Sequence, residues 1–60
     1  MTLWQAVLTL NEDLRCVVTL FYYEGFSIRE ISGILGIREA AVKTRLSRAR
    51  ARLRLLLREE

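Results

Sequence analysis

Apolar residues recur at helical intervals along almost the whole chain. In the C-terminal third, Val42, Leu46, Ala49, Leu53 and Leu56 follow one another at steps of four, three, four and three, a stripe that predicts one helix from about Glu39 to Arg58. Earlier, Leu14, Val17, Val18 and Phe21 keep the same period. Asn11 stands before them as a capping residue, and Glu12 and Asp13 occupy the first turn, where the helix dipole favours acids. That helix is expected to end near Tyr23, with Gly25 as its left-handed terminator. Between these two stretches, Ser27 and Glu30 have the spacing of a capping box, Ile28, Ile31 and Leu35 supply an apolar face, and Gly36 stops the helix after about two turns. Ile37 and Arg38 then carry the chain round a tight corner. A short first helix from about Leu3 to Thr9, capped by Thr2 and apolar at Leu3, Val7 and Leu10, brings the number to four. Proline is absent and the three glycines sit mid-chain, so the expected fold class is all-α: a four-helix domain containing a helix-turn-helix. Its expected core is Leu14, Val17, Phe21, Ile31, Leu35, Ile37, Val42, Leu46 and Leu53.

The last two helices carry the candidate chemistry. At about 100° per residue the stripe of the fourth helix fills a narrow arc, and the opposite arc holds Ala40, Thr44, Ser47, Arg48 and Ala51. Small residues let a helix approach base edges, hydroxyls bond phosphates or bases, and an arginine can grip a guanine edge with two hydrogen bonds. Lys43 and Arg50 flank this arc on one side, with Arg45 and Arg52 on the other, where two rows of phosphate would pass. Ser27 and Arg29, at the start of the third helix, are placed to add phosphate contacts, while Arg38, Ala40 and Ala41 would meet DNA first. Arg48 is the best candidate for reading a base. The pattern describes a major-groove DNA binder.

Charge distribution sharpens this picture. Residues 1–37 sum to −2 and residues 38–60 to +5, with seven basic residues and no acid between Ala40 and Arg58. Sixty residues make one small domain, expected over residues 1–60 as a piece of a longer chain. At 52% hydrophobic and 28% charged residues it is too apolar for a disordered tail. The run Leu55-Leu56-Leu57 is far too short to span a membrane, and a soluble, cytoplasmic protein is expected. One cysteine and no histidine exclude an internal disulfide, the familiar zinc sets and His-activated nucleophiles, so neither an enzyme nor a cofactor is expected.

At this level Leu14-Arg15, Tyr22-Tyr23-Glu24-Gly25-Phe26-Ser27, Glu30-Ile31, Ile34-Leu35-Gly36-Ile37 and above all Val42-Lys43-Thr44-Arg45-Leu46-Ser47-Arg48-Ala49-Arg50 resemble region four of the extracytoplasmic-function group of bacterial sigma factors. The resemblance covers about Asn11 to Leu57. It implies a domain that reads the upstream promoter element in DNA, docks on the beta-subunit flap of the RNA polymerase core and can be masked by an anti-sigma factor. Several positions depart from the family's pattern. Asn11 replaces a usual proline, Phe21 a usual arginine, and Arg38-Glu39-Ala40-Ala41 a common Pro-x-Gly-Thr, so the promoter sequence does not carry over. Ser32 and Gly33 stand for an alanine and a charged residue, and a helical glycine costs about 1 kcal/mol relative to alanine.

Trp4, Leu8, Leu20 and Leu55 are apolar beyond what one small core absorbs, and are expected either to extend the core contacts or to form a docking surface for the polymerase or an anti-sigma protein. Cys16, opposite the core stripe of its helix with Leu20 and Tyr23, is expected to be a small packing residue, and Tyr22 and Tyr23 core or rim aromatics. The output domain of a response regulator or quorum-type factor is the alternative reading, but such modules pair through a last helix that here is studded with arginine. A membrane-surface helix fits less well, because the outward arc is small and polar.

Overall fold

Each of the first three helices starts where a side chain takes over a backbone N–H that would otherwise lack a partner. In the computed structural model, which describes residues 1–58, Thr2 accepts from the Gln5 N–H at 3.1 Å while Gln5 Oε1 accepts from the Thr2 N–H at 2.8 Å. This capping box opens α1 (Leu3–Leu8). Asn11 Oδ1 accepts the Leu14 N–H at 3.0 Å and opens α2 (Glu12–Val18). The expected box of Ser27 and Glu30 opens α3 (Ile28–Leu35), with reciprocal bonds of 3.0 and 2.8 Å. Arg38 precedes α4 (Glu39–Leu57) in extended conformation and gives it no side-chain cap. No strand occurs among the described residues; Glu59 and Glu60, the end of the expected domain, lie outside them.

The second helix differs from the expected uniform α-helix. After Val18 it widens into a π segment, Thr19–Tyr23, closed by the Glu24 N–H donating to the Thr19 carbonyl at 3.0 Å. The Thr19 hydroxyl donates to the Arg15 carbonyl at 2.8 Å, a back-bond that competes with the helix ladder where the turn opens. One extra residue in a turn shifts the phase of everything after it by roughly 100°. Gly25 then adopts φ +81°, as expected, and the Phe26 N–H closes on the Leu20 carbonyl.

The helix-turn-helix corner is held by one carbonyl. Gly36, at φ +70°, and Ile37 both donate their N–H to the Ser32 carbonyl, at 2.9 and 3.2 Å, and the Ser32 hydroxyl in turn donates to the Ile37 carbonyl. Ser32 is thus the clasp of the turn, a role its position in the sequence did not announce.

α4 is the centre of the packing and contacts α1, α2 and α3. Val42, Leu46 and Ala49 are fully buried against Val7, Leu10, Val17, Val18 and Ile31. Of the other expected core residues, Leu14, Phe21, Leu35, Ile37 and Leu53 are half-buried and pack round this centre. Leu3 departs from expectation and is exposed; Ala6 takes its place, because α1 is only six residues long and meets α4 through its middle.

Two outcomes test this packing. Leu46→Ala should cost about 2–5 kcal/mol, enough on so small a domain to abolish the cooperative thermal transition followed by circular dichroism. Gly33→Ala, where a Cβ meets nothing within 4 Å, should raise the melting temperature through about 0.5–1 kcal/mol of helix propensity, whereas Gly36→Ala should lower it by forcing a side chain into the left-handed region.

Candidate nucleic-acid interface

Burial of Val42, Leu46 and Ala49 fixes the rotation of α4, so the other side of the helix is determined by the same residues that hold the core. Ala40, Lys43, Thr44, Ser47, Arg48, Arg50, Ala51 and Arg52 are all exposed, while Ala41 and Arg45 are half-buried at the edge of the packed side. Arg38, Ser27 and Arg29 are exposed at the entries to α4 and α3. The Ser27 oxygen is committed to its own capping box, which leaves the hydroxyl proton as what it can donate to a ligand.

The two halves of α4 differ in surroundings. Around Ala40 to Ser47 the outward side chains Ala40, Lys43, Thr44 and Ser47 are exposed. Farther along, Arg48, Ala51, Arg52 and Leu55 line a groove with Thr9, Leu10, Asn11 and Leu14, so the α1–α2 junction borders that side of the helix. On the opposite flank Arg50, Leu53, Arg54 and Leu57 line a second groove with Leu3, Val7 and Tyr22. Arg48 therefore sits at the border between these exposed side chains and the α1–α2 junction. Arg50 does not extend alone into solvent: its Nε–H donates to the Tyr22 hydroxyl at 2.7 Å, and its guanidinium carbon lies 5.9 Å from the Tyr22 ring centre. That partnership was invisible to helical periodicity, which the π segment breaks.

The expected docking residues do not form one surface. Trp4, Leu8 and Leu20 line a shallow groove with Cys16, Arg15 and Thr19, whereas Leu55 lines a different groove beside Leu10 and Asn11. Leu20 is half-buried and packs on the core, and Trp4 meets Tyr23 edge to face at 5.1 Å, joining α1 to the π segment. Trp4 and Leu8 remain exposed. Tyr22 and Tyr23 are rim aromatics, and Cys16 is half-buried in the wall of the groove.

Among the described residues no cluster of three or more His, Cys, Asp or Glu is placed to hold a metal ion, and no helix is long and apolar enough to cross a membrane.

A family model described as Sigma-70, region 4, matches residues 1–53. Over 58 residues the chain is 41% identical to the ECF RNA polymerase sigma factor SigW of Bacillus subtilis, covering 97% of this chain and 31% of that relative. It is 40% identical over 53 residues to the ECF RNA polymerase sigma factor SigM of Mycobacterium tuberculosis, 88% of this chain and 27% of the relative. With the probable RNA polymerase sigma factor RfaY of Xanthomonas campestris it shares 44% identity over 45 residues, 75% of this chain and 11% of the relative. The chain thus spans between about a tenth and a third of the length of these relatives.

The division of the apolar surface has a measurable consequence. Leu8→Glu, at a site 49% exposed, should leave thermal stability within about 0.5 kcal/mol of the parent. Leu20→Asp, which puts a charge against the core, should lower it by several times that amount in the same melting experiment.

Proposed function

The chain belongs to the sigma-70 region 4 family, and on that footing we propose that it is the promoter-reading domain of a sigma factor, binding the upstream element in the major groove during transcription initiation. The observation that carries this reading is the fixed rotation of α4. A fully buried stripe of Val42, Leu46 and Ala49 turns Ala40, Lys43, Thr44 and Ser47 outward together, small and hydroxylated residues beside a cation, on a helix about 10–12 Å across that a major groove can admit.

In this reading Arg38, Ala40 and Ala41 enter the groove first. Thr44, Ser47 and Arg48 face base edges, with Arg48 as the principal base reader. Lys43 and Arg50 on one flank and Arg45 and Arg52 on the other grip phosphates, joined by Ser27 and Arg29 from α3. The domain works without cofactor or catalytic chemistry, as the region of a longer protein that brings the RNA polymerase core to DNA, and its place is the cytoplasm. Trp4 and Leu8, with Leu20 behind them, and Leu55 separately, are proposed contacts for the beta-subunit flap or for an anti-sigma factor.

Base and phosphate contacts separate in experiment. Arg48→Ala should cost about 1–3 kcal/mol on the preferred sequence, as recovered from a random duplex pool, and flatten the preference at one position. Lys43→Ala should weaken all sequences alike and make the slope of log affinity against log salt shallower by about one. Equal losses on selected and scrambled DNA for Arg48→Ala, with a changed preference for Lys43→Ala, would mean that α4 sits in the groove at another rotation.

A further inference from the structure

Tyr22 stands outside both the core and the outward face of α4, yet it makes the side-chain hydrogen bond that links the π segment to the basic helix, 28 residues away in sequence. We infer that Tyr22 is a positioning residue for DNA binding, holding the Arg50 guanidinium in the orientation that meets a backbone phosphate. The inference rests on the reading of Arg50 as a phosphate contact and adds to it the group that aims it.

The geometry supports a support rather than a casual contact. The Phe21 ring, half-buried and packed on the core, meets the Tyr22 ring edge to face at 4.9 Å and 88°. Tyr22 is therefore braced from the core side, although it is itself 52% exposed. Its hydroxyl oxygen takes the Arg50 Nε–H at 2.7 Å, and its ring lies near the guanidinium carbon at 5.9 Å. A guanidinium has five N–H donors in one plane, so with Nε engaged the remaining four sit on the two terminal nitrogens, the edge that matches two phosphate oxygens. Lys43 lies two turns earlier on the same flank of α4, about 10 Å along the axis, so an aimed Arg50 continues a row begun by Lys43. An exposed arginine loses much rotamer freedom on binding; one already held by a tyrosine has lost part of it beforehand.

The test uses the full chain and a short random-sequence DNA duplex, since phosphate contacts do not depend on sequence. Affinity is measured over a salt series for the parent, Tyr22→Phe, Arg50→Ala and the double variant, with melting temperatures in parallel. Tyr22→Phe keeps the ring and removes only the oxygen. It should weaken binding about two- to tenfold at low salt, while Arg50→Ala makes the salt slope shallower by about one. In the Arg50→Ala background, Tyr22→Phe should cause no further loss. The inference is overturned if Tyr22→Phe binds as the parent does, if it binds more tightly, or if its loss is the same with and without Arg50. A lower melting temperature with unchanged binding would show a structural tie and overturn it equally. An unchanged salt slope for Arg50→Ala overturns it at a different point, because Arg50 is then no phosphate ligand at all.

Discussion

The burial of one stripe of α4 is the interaction on which the rest of the molecule depends. Val42, Leu46 and Ala49 are completely excluded from solvent, and the helices before α4 meet one another largely around them. Among the described residues the buried side chains form one core cluster, so this contact both stabilises the fold and sets the rotation of the helix that faces outward. A helix that shifted phase by one residue would bury Lys43 or Ala41 in place of Val42. The core and the candidate interface are thus two sides of the same constraint, and α4 can present Ala40, Thr44 and Ser47 together only because the opposite stripe is satisfied.

Two local devices position the elements around that stripe. At the helix-turn-helix corner, Gly36 supplies the left-handed residue and Ser32 binds the turn from both its carbonyl and its hydroxyl, which fixes how α4 leaves α3. In the second helix the π segment changes the register after Thr19, so that Phe21, Tyr22 and Tyr23 serve three neighbours: the core, Arg50 of α4 and Trp4 of α1. A regular α-helix over the same residues would distribute those rings differently. The departure from regular geometry therefore lies where the domain joins its first helix to its basic one.

The basic helix is not uniform along its length, and this bears on how charge becomes function. Its first half faces outward with small and hydroxylated side chains, while its second half is bordered by the α1–α2 junction on one flank and by α1 and Tyr22 on the other. Arginines that look equivalent in sequence thus have different tasks open to them. Arg50 is held by a neighbour, Arg45 is partly covered by the packed side, and Arg48 stands at a border.

The number of helices, the caps at Thr2, Asn11 and Ser27, the stop at Gly36 and the stripe of α4 were all determined by the sequence itself. Each depends on residue type within one or two turns, where the backbone's need for partners and the 3.6-residue period leave little choice. The outward set on α4 followed from the same period. What only the tertiary structure decided were the Tyr22–Arg50 bond and the separation of Leu55 from Trp4, Leu8 and Leu20, and with them two local features that periodicity does not encode, the π register and the clasp at Ser32. The physical reason is the same in most of these. A side chain's neighbour across space depends on how whole helices cross and on where one of them gains an extra residue in a turn, and spacing along a single helix carries no information about either.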